Sequence, residues 1–211
     1  MPATLDQILQ TLARDGLLMQ ADVRLPSLVT LVAGEPVRGS WWGHPMGDTI
    51  HVLGKAIRSH KDVIVAYLIA GKITFFHRKL WPALFGVAAC GEPWQRQGLS
   101  RSARALLKRV EQSTRIRADH PMVRGRFAAV ELRATIRELE ARLLVHSTDT
   151  HTETGTHAKT LQTWQSCRAE KRFRGPALPV EKAREKLDGL LESWSKTYGV
   201  RPKVPWGRGS S

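Results

Sequence analysis

Residues 48–78 read DTIHVLGKAIRSHKDVIVAYLIAGKITFFHR, and a change of period inside this stretch decides the fold. Ile50, Leu53 and Ile57 recur at helical spacing behind Asp48, a residue suited to capping, so a helix is expected to run to about His60. His51, Lys55 and Arg58 fall on the opposite face of that helix. After Asp62 the pattern becomes an uninterrupted β-type run, Val63 to Ile69, then a turn at Ala70, Gly71 and Lys72, then Ile73 to Arg78. Two such runs around a glycine-containing turn predict a β-hairpin.

Upstream, Thr4 precedes Gln7 at capping-box spacing, and Leu5, Ile8, Leu9 and Leu12 continue helically until Gly16. Pro26 and Ser27 suit a second helix start, although Leu28, Val29, Leu31 and Val32 would also serve a strand. Three short helices followed by a hairpin is the order of a winged helix, in which the third helix can enter a DNA major groove and the hairpin can touch the backbone.

The second half reads as helical. Leu80 to Cys90 is apolar, with Pro82 in the first turn, where a missing donor is harmless. A helix from Ser100 or Ser102 sets Ala103, Leu106, Leu107 and Val110 against Arg101, Arg104 and Lys108. Another carries Leu132, Ile136 and Leu139 inward with Arg133 and Arg137 outward, and the last spans about Pro179 to Lys196. Residues 146–158, rich in histidine and poor in aliphatics, read as a polar loop. The expected class is therefore α+β, mainly α, with a winged-helix-like N-terminal half packed on a helical C-terminal half. Residues 1–98 form the first domain, 99–200 the second and 201–211 a flexible tail, and no internal repeat is apparent.

The charge points to a polyanion. The chain of 211 residues has 33 Lys and Arg against 19 Asp and Glu, a net +14. Residues 71–118 hold 10 basic and 2 acidic side chains, more than half of that surplus. Nucleic acid, DNA preferred, is the expected partner rather than a membrane, because no helix pairs a basic face with a wide Trp, Phe and Leu face. Cys90 and Cys167 belong to no CxxC pair, and no leader or apolar span of about 20 residues occurs, so a cytoplasmic protein, nucleoid-associated when bound, is expected. No P-loop, GxGxxG or hydrolase elbow is present, and neither a metal nor a cofactor is expected.

Three constellations could carry chemistry. Trp41 and Trp42 lie in a loop with Gly43, His44 and Pro45, where an indole could stack on a base and His44 could move a proton. The plain alternative is that both indoles wedge the helices against the hairpin. In the run VHSTDTHTETGTHAKT, His151, Glu153 and His157 could act as acid and base or as catalytic electrostatics, although a solvated loop would look the same. Arg78 and Lys79 at the hairpin exit, with Lys72 at its turn, would meet phosphates, as would Arg101, Arg104 and Lys108; His51, Lys55 and Arg58 would read a groove.

The phrases SWWGHP, GKITFFHRKLWPAL and HTETGTHAK resemble a little-characterised bacterial family of winged-helix DNA repair proteins of the base-excision type, over about residues 1–175. The resemblance implies that indole loop, hairpin and histidine segment form one functional unit; it assigns no catalytic residue. The sequence leaves three functions open: a DNA glycosylase excising a damaged or deaminated base such as uracil, with His44, His151, Glu153 and His157 as catalytic groups and Trp41 or Trp42 under the base; a non-enzymatic winged-helix DNA-binding or regulatory protein; and an RNA-binding or processing protein.

Overall fold

The Thr4 hydroxyl accepts from Gln7 N and the Gln7 side chain accepts from Thr4 N, so α1 (Leu5–Asp15) begins at the capping box and stops at Gly16 in the left-handed region. The computed structural model describes residues 3–151 and 157–207. Strand β1 (Leu17–Met19) leads to α2 (Leu28–Ala33), where Ser27 Oγ accepts from Thr30 N at 3.2 Å and resolves the helix-or-strand choice in favour of helix. After a 3-10 turn at Trp41–Gly43 come α3 (Gly47–Ser59), β2 (Val63–Ala66) and β3 (Thr74–His77). Asp48 does not cap α3: the helix starts two residues earlier than such a cap requires, Met46 holds the cap position, and Asp48 sits exposed in the first turn. A carboxylate there still complements the helix dipole.

The strands form an antiparallel sheet in the order β1-β3-β2, with Leu18 opposite Phe75 and Ile64 opposite Phe76. Both faces are covered. Phe75 packs with Ile8, Leu12, Leu28, Ile50 and Ile57 of the three helices, whereas Phe76 belongs to a cluster with Trp81, Leu84 and Leu187. Burial on two sides explains why the segment from Val63 shows no polar alternation.

Helices α4 (Trp81–Ala88) and α5 (Pro93–Arg96) precede the second half. That half was expected to be helical around a polar loop, and here the structure differs. Ser100 Oγ accepts from Ala103 N at 3.0 Å and starts α6 (Arg101–Ser113), followed by β4 (Arg115–Arg117), α7 (Pro121–Arg124), α8 (Ala129–Ala141), β5 (His146–His151) and β6 (His157–Gln162). Within the run expected as a polar loop, 146–151 and 157–158 are instead paired strand, and β6 also pairs with β4, giving an antiparallel sheet in the order β4-β6-β5. Alternation places Leu161 against Leu106, Val110, Ile116 and Leu139 in a separate core. Threonine, with its branched Cβ, suits this ladder at Thr148 and Thr160, which face each other.

The order helix, strand, helix, helix, strand, strand therefore occurs twice, with the same sheet order. The repeat is topological. It was invisible as sequence because what recurs is burial: Ile50 and Ile57 of α3 correspond to Leu132 and Leu139 of α8. Helices α9 (Trp164–Glu170) and α10 (Val180–Tyr198) then return to the first unit, where α10 lies on α4. No described helix is long and apolar enough to cross a membrane.

Candidate nucleic-acid interface

The indole loop is held at the start of α3. His44 N donates to Trp41 O at 3.1 Å and Gly47 N to His44 O at 2.7 Å, which folds the loop onto the helix. Gly47 permits this approach, since a Cβ there would lie 2.9 Å from Trp42 O. Trp41 is half-buried against the first helical core, whereas Trp42 is 61% exposed and stacks on Trp41 with ring centroids 4.3 Å apart. The His51 ring lies 5.1 Å from that of Trp42. One indole thus anchors the other, and an open aromatic surface sits beside the outward face of α3.

That face consists of His51, Val52 and Lys55, all exposed, and Val52 at 63% is unusually open for an aliphatic side chain. Arg58, expected beside them, is elsewhere. Its guanidinium donates to Gln20 Oε1, lies over the Phe75 ring at 5.9 Å and reaches Asp149 Oδ2 of β5 at 3.9 Å. It is a junction residue between the two units. It shares the His51 stripe at i+7, but from the last turn of α3 its long side chain reaches the sheet and the second hairpin.

The wing cations are also partly engaged. Lys72 pairs with Asp22 at 2.8 Å, Arg78 with Asp62 at 3.4 Å while lying over Trp81, and Lys79 donates to Arg14 O. The Asp22 carboxyl is held below its ordinary pKa: burial pushes it up, but Lys72 and two backbone donors outweigh that. On α6, Arg101, Arg104 and Lys108 stand on the exposed side, with Arg104 also donating to Leu99 O at 2.8 Å.

The proposed acid-base groups are not gathered by any described contact. His44 Nδ1 accepts from Met46 N at 3.1 Å, and its other nitrogen is 4.0 Å from Glu35. His151 and His157 face each other in the β5–β6 register, and Glu153 lies outside the described residues. β5 meets the C-terminal end of α3 at Arg58, while His44 lies before its N-terminus; a helix of 13 residues separates those ends by roughly 20 Å. Two surface concavities, about 490 Å³ along α1 beside Gln7, Thr11 and Arg14 and about 400 Å³ around Arg168, Arg172 and Phe173, do not include the indoles.

Sequence reasoning passed over two features. Val52 reads as an ordinary helical aliphatic, and only the fold shows it facing outward. Arg133 and Arg137 were seen to point outward, but without the second sheet nothing marked α8 as the third helix of a unit. Compared with known proteins, the chain matches no family model, no curated protein and no solved structure.

Proposed function

We infer that the chain is a duplex-DNA-binding protein that uses the outward face of α3 in the major groove and the flanking basic side chains on phosphates, working in the cytoplasm on nucleoid DNA. The observation that carries this reading is the pairing of a winged-helix order of elements with an exposed His51–Val52–Lys55 face on the third helix. An imidazole and an ammonium supply hydrogen bonds to base edges or phosphates, and Val52 offers an apolar contact for a thymine methyl. The surplus of +14 favours association with any duplex and makes it salt-dependent.

Fluorescence anisotropy with labelled duplex, single-stranded DNA and RNA, each over a salt series, tests it. Duplex DNA should bind most tightly, with log affinity falling linearly in log salt. Lys55→Ala should weaken duplex binding several-fold with unchanged thermal stability, because Lys55 is exposed and has no described ion pair. Equal binding of all three polymers, or an unaffected Lys55→Ala variant, would remove α3 from the interface.

The openness of Trp42 supports a second reading, base excision, in which a flipped base stacks on the indole. Incubation with duplexes containing uracil, hypoxanthine or alkylated bases, followed by alkali, decides it. Strand breaks lost in Trp42→Ala would establish it, and an unbroken panel would leave the binding reading alone.

A further inference from the structure

The second unit presents its own reading face. On α8, Val130, Arg133, Ala134 and Arg137 lie at i, i+3, i+4 and i+7, all exposed, with Val130 at 74%. They share one stripe of the helix. The acidic residues of α8 are turned off that stripe. Glu131 accepts from Ser102 Oγ, and Glu138 from Ser100 N at 2.9 Å and Ser100 Oγ at 2.7 Å, so both are tied to α6. What remains outward is cationic and apolar. Relative to their helix starts, Arg133, Ala134 and Arg137 occupy the places that His51, Val52 and Lys55 occupy on α3.

The two units also meet reciprocally. Arg58, near the C-terminal end of α3, reaches Asp149 in the second hairpin. At the C-terminal end of α8, Glu140 accepts from Lys159, which in turn donates to Tyr67 in the first hairpin at 3.0 Å, and Ala141 lies beside Gly71 of that hairpin. Each third helix thus ends against the other unit's hairpin, the pattern of a two-fold interface within one chain.

We propose that α8 is a second major-groove reader, so that a single chain occupies two half-sites on one duplex, with Arg133 and Arg137 contacting guanine edges and Val130 and Ala134 contacting thymine methyls. The inference rests on the duplex-binding reading and extends it to a different helix. Arginine can hold guanine O6 and N7 with two parallel hydrogen bonds, and an apolar side chain between arginines suits a methyl. Two linked readers would be expected to centre about one helical turn apart, roughly 10 base pairs. The half-sites would differ in sequence, since α3 offers imidazole and ammonium where α8 offers two guanidinia.

The test selects bound duplexes from a randomised pool with the full-length protein, then footprints the winner. Two protected segments at that spacing, one rich in guanine, are expected for a monomer. Arg133→Ala and Arg137→Ala should each relax preference in the guanine-rich half-site about tenfold and leave the other half-site intact. Arg137→Lys keeps the charge, so affinity for random duplex and its salt slope should persist while that preference is lost, which simple phosphate neutralisation would not produce. A single protected segment, or identical selected sequences from the arginine variants while Lys55→Ala weakens binding, overturns the second reader and leaves α3 standing. Absence of duplex binding by the wild type, or tighter binding to RNA at equal salt, overturns both.

Discussion

His146 shows how burial acts on a single side chain. It opens β5, is almost wholly enclosed, lies edge-on to Trp164 and accepts at Nδ1 from Gln162 Nε2 at 3.1 Å. Burial pushes its pKa down to about 4; the opposing pull of Glu170 is smaller, and Lys171 and Arg115 add to the lowering. The folded chain therefore keeps this ring neutral, while the unfolded chain takes up a proton below about 6.5. Stability must fall as pH drops from about 6.5 to about 4, by about 3 kcal/mol in all. Thermal denaturation across that window should show the loss, and His146→Phe should flatten it; an equally steep limb in the variant would place the proton elsewhere. The same enclosure acts on Cys167, whose thiol is pushed up to about 12 by burial, which disfavours the thiolate.

Among the elements, α4 depends on closeness that its apolar sequence does not announce. Gly86 faces the chain entering α10: a Cβ there would lie 2.3 Å from Leu178 O and 3.0 Å from Ala183 Cβ. Leu178 N donates to Pro82 O at 2.9 Å, so that backbone cannot withdraw without losing a hydrogen bond. Alanine is ordinarily the better helix former, by about 1 kcal/mol. Here overpacking should win, and Gly86→Ala should destabilise the protein by about 2 kcal/mol in denaturant titration. An unchanged midpoint would mean that α10 can shift freely on α4. The β5–β6 pair is the element that local sequence signals missed. Its polar residues suggested a loop because the hydrophobic period was too weak to mark strands, yet the ladder with β4 needs only Leu161 and Ile116 to face a core.

For the whole molecule, the junction between the two units is polar and enclosed. Glu140 is 1% exposed and accepts from Lys159 and Ser147, while Lys159 lies over the Tyr67 ring at 4.8 Å. Burial works against the Lys159 ammonium, but Glu140 and Tyr67 outweigh it and hold its pKa above the ordinary value. Lys159→Met would leave a buried carboxylate without its cation and should cost about 3 kcal/mol or more, whereas Lys159→Met with Glu140→Leu should recover much of the loss. Thermal denaturation of the four-member cycle measures the coupling; additive losses would show that the two charges are not coupled.

Much of the first unit was legible in the chain itself. The capping box at Thr4, the helical stripe of Ile50, Leu53 and Ile57, and the hairpin around Gly71 are local signals, set by side-chain spacing and backbone preference within a few residues. The class, α+β and mainly α, followed from them. Tertiary structure decided what depends on neighbours distant in sequence. It turned Arg58 from a groove to Asp149, opened Trp42 by stacking Trp41 beneath it, and brought residues 115–117 beside 160–162 to complete a second sheet. A pairing between segments more than forty residues apart leaves no periodic mark in either one, because strand register and side-chain exposure are settled only when the partner surface arrives.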